Sequence, residues 1–414
     1  MSEQRLGDLI EIKHGYAFSG QHFCADGPFV LLTPGNFYDA GGFKFRDEQK
    51  HYDGAVPSDF ILKEGDLLVA MTEQGEGLLG SAAFVPGGKR YLHNQRLGLI
   101  TPKAGTEIDL RYVYYLLNSR DVRLQIRATA SGAKVRHTSP NRIYAVDIPK
   151  HSLPTQRRIA SILGAYDDLI EVNRHRISAL EEMARGLFDE WFVRFRFPGH
   201  EEVPMLDTPN GPLPEGWSWA VLGDVVEQRR DTTGAGEHLN GRAYIPIECI
   251  TRRSLALDDL RPWQEAQSSL QLFSKGDILF GAMRAYFHKV APAPLDGVTR
   301  STCFVLRPRS PSLAAYSLQA LFRDETVAYA SAHSKGSTIP YAQWAGVLER
   351  MPCLYPDAQT LERFQSVVQP MVDLIVSVWF QARNLAAARD LLLPRLISGK
   401  LSVAEAEREL EEAA

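Results

Sequence analysis

The feature that most constrains this chain is that it repeats itself. Leu6-Gly-Asp-Leu-Ile returns as Leu222-Gly-Asp-Val-Val, and Leu62-Lys-Glu-Gly-Asp-Leu-Leu68 returns as Phe273-Ser-Lys-Gly-Asp-Ile-Leu279. Ala130-Ser-Gly-Ala-Lys134 is echoed by Ser334-Lys-Gly-Ser-Thr338, and Ile148-Pro149 by Met351-Pro352. Each echo alone is weak. Their shared order marks an internal duplication, and a repeat of such long period settles the architecture before any motif is read.

Each copy ends in a long helical stretch. The first runs from about Thr155 to Phe195, with Leu163, Tyr166, Ile170, Asn173, Ile177, Leu180, Ala184, Leu187 and Trp191 recurring every three or four residues. The second runs from about Asp357 to Leu396, with Leu361, Phe364, Val368, Met371, Ile375, Val378, Ala382, Leu385, Arg389 and Leu392 in the same rhythm. A shift of 205 positions lays Leu163 on Val368, and likewise Ile170 on Ile375, Asn173 on Val378 and Leu187 on Leu392. At ~1.5 Å per residue each helix is roughly 60 Å long. One such seam is too narrow for a core helix and too apolar for water, so each helix is expected to cover the other. Asn173 is placed to fix register, Pro370 predicts a kink, and Arg389 sits on or beside the seam.

The predicted fold is α+β. Two similar mixed α/β domains are separated by two long helices packed as an antiparallel coiled coil, with an internal pseudo-twofold repeat and a domain at each end. The first domain covers residues 1–150 and the first helix 151–196. A linker rich in proline and glycine, with Pro198, Pro204, Pro209, Pro212 and Pro214, covers 197–216. The second domain covers 217–353, the second helix 354–400 and an acidic tail 401–414. The length of 414 residues also exceeds what one core supports.

A net charge of −4 hides a local imbalance: Pro86 to Arg142 holds eleven Lys and Arg against three acids. Cys24, Cys249, Cys303 and Cys353 are scattered, without metal-ligand spacing, as expected of thiols in a reducing compartment. Neither a signal peptide nor an apolar run of membrane-spanning length is expected, which points to the cytoplasm.

Catalytic motifs are wanting. Gly75-Glu-Gly-Leu-Leu-Gly80 matches a dinucleotide fingerprint, but a strand and turn follow where a helix is required, so a tight loop is predicted. No phosphate-binding loop, base-holding Asn-Pro-Pro motif or metal-spaced histidine pair occurs, and His175 belongs to a solvated helix face. Binding is therefore favoured over catalysis.

Two copies of a domain on a spacer suit duplex DNA, whose sites recur at fixed separation. In the first copy Lys89, Arg90, His93, Asn94, Gln95 and Arg96 make a dense run, and Lys134, Arg136 and His137 follow Gly132 in a loop. In the second, Arg284, His288, Lys289, Arg300 and Lys335 fall in comparable places. Lys and Arg hold phosphates, while Asn, Gln and Arg can read base edges.

The chain resembles the specificity subunits of type I restriction–modification systems. The resemblance rests on Leu6-Gly-Asp, Gly65-Asp-Leu-Leu, Leu153-Pro-Thr-Gln-Arg-Arg-Ile-Ala, Leu213-Pro-Glu-Gly-Trp, Lys275-Gly-Asp-Ile-Leu and the closing Leu393-Pro-Arg-Leu-Ile-Ser-Gly-Lys-Leu401. It implies a target recognition domain in each half, each reading one part of a split double-stranded DNA sequence. It implies long helices that space these domains and dock two modification subunits, with Arg174, Arg176 and Trp191 as docking candidates. Those subunits bind S-adenosylmethionine and methylate adenine. Two restriction subunits, where present, use ATP and Mg. No catalysis and no directly bound cofactor or metal is implied for this chain. The alternatives are a self-contained methyltransferase or nuclease with unrecognised motifs, or a coiled-coil adaptor that binds no DNA.

The spacer seam expected on this reading is Leu163, Ile170, Asn173, Ile177, Leu180 and Leu187 on the first helix. On the second it is Val368, Met371, Ile375, Val378, Leu385 and Leu392.

Overall fold

A computed structural model describes residues 2–46, 48–75, 77–267 and 269–413, with side chains described as far as 408. It divides into two compact units. Unit 1 is Met1–Asp168 with Leu385–Ala414, and unit 2 is Leu169–Asn384. The two long helices, Leu153–Phe188 and Ala358–Ile397, contribute to both.

Unit 1 is built on an antiparallel sheet with strands in the order Ile10–His14, Leu97–Pro102, Leu67–Ala70, Ala82–Phe84. Leu67-Leu-Val-Ala70 is apolar at every position because both faces of its strand are covered. Leu67 and Val69 pack toward the helices Leu110–Asn118 and Arg120–Ala128, whereas Leu68 and Ala70 join Val30, Leu32 and Tyr91 on the other side. Asp109 caps the first of these helices, accepting the Tyr112 N–H at 2.9 Å.

Unit 2 repeats the plan. Its sheet runs Val226–Arg229, Cys303–Pro308, Ile278–Gly281, Val290–Pro292 with the same antiparallel neighbours. The helices Ala314–Phe322 and Asp324–Ala332 take the place of the pair in unit 1. The repeated Gly-Asp motifs are turns closed by their aspartates. Asp66 accepts the Lys63 N–H at 2.8 Å and Asp277 the Ser274 N–H at 2.7 Å. Asp8 and Asp224 close the Leu-Gly-Asp turns on Arg5 and Val221 in the same way. Asp277 is 2% exposed, and Arg307 grips it through Nε at 2.6 Å and Nη2 at 2.8 Å.

One echo shifts register. Arg5 pairs with Asp147 and Val221 with Pro352, so Pro352 corresponds to Asp147 and not to Pro149. This restores the spacing that the helices share.

In unit 1, residues 153–168 pack against 385–397 in opposite directions: His151 Nε2 meets the Ile397 carbonyl, and Asp167 meets Arg389. Asp167 also accepts the Tyr115 hydroxyl at 2.6 Å, so the arginine beside the seam is matched by a carboxylate. In unit 2 the end of the first helix meets the start of the second, with Phe188, Trp191 and Phe192 around Phe364. Leu163, Ile170, Asn173, Ile177, Val368, Ile375 and Val378 are buried, and Leu180, Leu187, Met371, Leu385 and Leu392 are partly so. Trp191 is 7% exposed and belongs to this core, which removes it from the docking candidates. Arg174 and Arg176 are exposed. The second helix continues through the exposed Pro370.

The proline-rich stretch is packed rather than loose. Phe197, Leu213 and Trp217 are buried, and Met205–Leu206 pairs with Leu213–Pro214. The acidic C-terminal residues form a helix, Val403–Ala413, whose Val403 and Ala406 join the core of unit 1 and whose Glu407 pairs with Arg158. No helix among the described residues is long and apolar enough to cross a membrane.

Candidate nucleic-acid interface

In unit 1 three loops converge on the backbone of Met71. Its N–H donates to the Arg96 carbonyl at 3.0 Å, and its carbonyl accepts the Thr138 N–H at 2.9 Å. From Met71 the chain continues into Thr72–Glu73, which pairs with Arg136–His137, and then into the glycine loop. The turn at 94–96 and the loop at 131–138 thus meet on Met71, and the strand that follows it leads into the glycine loop at 75–80, so three separate sequence segments start from one junction.

Unit 2 builds the same junction on Ala282. Its N–H donates to the Thr302 carbonyl and its carbonyl accepts the Ala342 N–H, both at 2.8 Å. The turn after Arg300, the loop Met283–His288 and the loop Lys335–Tyr341 meet there, with the Arg284 N–H on the Pro340 carbonyl at 2.8 Å.

Most of the expected basic residues fall on these junctions. In unit 1 the Asn94 side chain accepts the Arg96 N–H at 2.9 Å, closing the turn and leaving the Gln95 and Arg96 side chains exposed. Lys134 is exposed at the tip of its loop. Arg136 is half-buried, donating to the Arg127 carbonyl, and the exposed His137 lies 3.2 Å from the Thr72 hydroxyl. In unit 2 Arg300 and Lys335 are exposed and Arg284 is half-exposed. Lys89 and Arg90 are exposed but precede the strand Tyr91–Leu92, while the turn follows it. Lys89 holds Gln49, and Arg90 lies 4.3 Å from the centre of the Phe29 ring.

Two expectations are overturned by burial and a third by a hydrogen bond that turns the side chain inward. His93 is 0% exposed, with Nε2 on the Leu97 carbonyl at 2.9 Å. His288 is 3% exposed, with Nε2 on the Phe322 carbonyl at 2.7 Å and Nδ1 3.2 Å from Asp324. Lys289 turns inward to the Ile247 carbonyl at 2.8 Å. These side chains hold the loops in place and do not face a ligand. Burial pushes all three pKa values down, that of His93 to about 4.

The His93 shift predicts acid sensitivity. The unfolded chain takes up a proton near pH 6.5 that the folded one refuses until about 4. The stabilisation is therefore complete above pH 6.5 and lost as pH falls through that window, on the order of 3 kcal/mol in all. His93→Gln should flatten stability between pH 6.5 and 4 in urea titrations. An unchanged slope would place the acid sensitivity elsewhere.

The strand Ala82–Phe84 follows the glycine loop, where a dinucleotide fingerprint needs a helix. Glu76 within the motif lies outside the described residues. The loop is clamped from both sides. Buried Glu73 accepts the N–H groups of Gly77 and Leu79 at 3.1 and 2.9 Å, while Arg123 donates to the carbonyls of the same two residues. Sequence reasoning also missed an aromatic cluster beside the 94–96 turn. Tyr16, 41% exposed, stands 5.1 Å from both Phe18 and Phe60, and its carbonyl accepts the Gln95 N–H. The Tyr16-x-Phe18 alternation was the available signal.

Residues 1–182 match the family described as type I restriction modification DNA specificity domain. The chain is 26% identical over 328 residues to the type I restriction enzyme MjaIX specificity subunit of Methanocaldococcus jannaschii, covering 75% of this chain and 73% of that protein. It is 26% identical over 196 residues to a putative type I specificity subunit of Mycoplasma pneumoniae, covering 45% of each. The crystal structure of a type I restriction–modification S subunit from M. genitalium shares the fold, with a TM-score of 0.55 at 13% identity over 96% of both chains.

Proposed function

We infer that this chain is a type I restriction–modification specificity subunit and that each half reads one part of a split double-stranded DNA sequence, a reading supported by the family match over residues 1–182 and by the likeness to other specificity subunits. One observation carries this reading: three loops gather on Met71 in one unit and on Ala282 in the other, by the same pair of backbone hydrogen bonds. The frame is repeated, while two of its three loops differ. The turn between strands spans 93–96 in one half and 301–302 in the other. The glycine loop at 75–80 is replaced by a turn bracketed by Arg284 and His288, both with φ of +52°. Two copies of a frame with unlike surfaces suit two half-sites of unlike sequence.

On this reading the chain supplies recognition, and partner subunits supply chemistry. Modification subunits, two to a complex, carry S-adenosylmethionine and methylate adenine. Restriction subunits, where present, use ATP and Mg. The exposed faces of the long helices, including Arg174 and Arg176, are where the modification subunits dock.

Mapping methylated adenines after co-expression with the modification subunit tests this reading. The expected outcome is a split motif with a constant gap. Methylation without any base preference would overturn it.

A further inference from the structure

Of the three loops at each junction, one keeps the same backbone in both halves. Ser131 and His137 exchange N–H···O bonds of 3.0 and 2.8 Å, and Lys335 and Tyr341 exchange two of 2.8 Å. Each pair closes a five-residue loop that begins with glycine. Gly132 has φ of +94° and Gly336 of +104°, a region that side chains rarely adopt. A Cβ there would lie 2.1 Å from the Val135 carbonyl oxygen and 2.7 Å from that of Ile339. The sequences inside, Gly-Ala-Lys-Val-Arg and Gly-Ser-Thr-Ile-Pro, share only the glycine. Backbone shape has been kept while side chains diverged.

Surfaces that read different bases must differ. A loop whose backbone shape is kept in both halves while its side chains drift suits something that has the same shape at both half-sites. On duplex DNA that is the sugar–phosphate backbone. The exposed side chains agree: Lys134 in the first loop, and Lys335, Ser337 and Thr338 in the second. These are ammonium and hydroxyl donors, the groups that bind phosphate oxygens. Among the described residues neither Lys134 nor Lys335 has a side-chain partner in its own fold.

We propose that loops 131–137 and 335–341 are paired phosphate grips, one per half, which hold the duplex without reading it and leave base reading to the unlike loops beside them. This rests on the DNA-recognition reading above. It separates from that reading because a grip acts on any duplex, cognate or not.

The test uses the full chain assembled with its modification subunit. Lys134→Ala, Lys335→Ala and the double variant are titrated with a cognate and an unrelated duplex at several salt concentrations. Each single change should weaken both duplexes by the same factor and make the slope of log K against log salt shallower by about 0.9, with the effects adding in the double variant. The methylated motif should not change. A changed base preference in either half-site would make the loops readers and overturn the proposal. So would an unchanged salt slope, or normal DNA binding with failed subunit assembly, which would make them docking elements. If the unaltered complex shows no base preference, the DNA-recognition reading fails while the salt slopes still report on the grips.

Discussion

Phe364→Ala is expected to destabilise the chain by about 3–5 kcal/mol, the range for emptying a fully buried aromatic site. The ring is 0% exposed, with Phe192 at 4.8 Å and Trp191 at 5.5 Å, both edge-on. Tyr316 from the helix Ala314–Phe322 touches the same cluster through Phe192 at 4.9 Å. The cavity would therefore open where the two long helices of unit 2 meet the helix that backs its sheet. Rigid neighbours of that size cannot collapse into the space, which puts the cost at the upper end for a single truncation. Leu374 is the control. It lies on the same helix but is 48% exposed, and Leu374→Ala should cost less than about 0.5 kcal/mol. Equilibrium unfolding followed by tryptophan fluorescence reads both variants, since Trp191 and Trp217 lie within this cluster. Equal losses would mean that the seam does not hold the unit together.

The helix seam was legible because its signal is local and periodic. Ile375 and Val378 are buried for the reason that their spacing gave, and the 205-residue offset survives in the strand pairing of Arg5 with Asp147 and Val221 with Pro352. The Gly-Asp turns were legible as repeats, although their role as aspartate-closed turns needed the hydrogen bonds. What could not be read was which basic side chains face out. His93 and Gln95 are two residues apart in one polar run, yet one is buried and the other exposed, because the first packs against Phe60 while the second sits on a turn. His288 and Lys289 misled for the same reason: two buried carbonyls, from Phe322 and Ile247, claim their donors. The junction itself joins residues near 71, 96 and 138, and no local pattern announces such a meeting.

If each unit reads one half-site as proposed, Glu73→Ala is expected to abolish recognition of the first half-site while sparing the second. The carboxylate is 2% exposed and accepts two backbone N–H groups, from Gly77 and Leu79. Hydrogen bonds to a charged group are worth about 1.5–3 kcal/mol each, and without them both donors are stranded in a buried setting. Arg123 would still hold the two carbonyls, so the loop should lose its shape rather than detach. Glu73 also lies on the strand that pairs with Arg136, so the disturbance stays within one junction. A misread base pair costs about 1–3 kcal/mol, and a loop that contacts one or two of them should forfeit roughly a hundredfold in preference. Methylation of oligonucleotides varied in one half-site at a time reads the result. The variant complex should become indifferent to bases in the first half-site and keep its full preference in the second. Both N–H groups meet the same oxygen, Oε2, so Glu73→Gln, which keeps one acceptor oxygen but no charge, should fall between Glu73→Ala and the unaltered chain. Equal loss of preference in both half-sites would mean that the two junctions do not read independently.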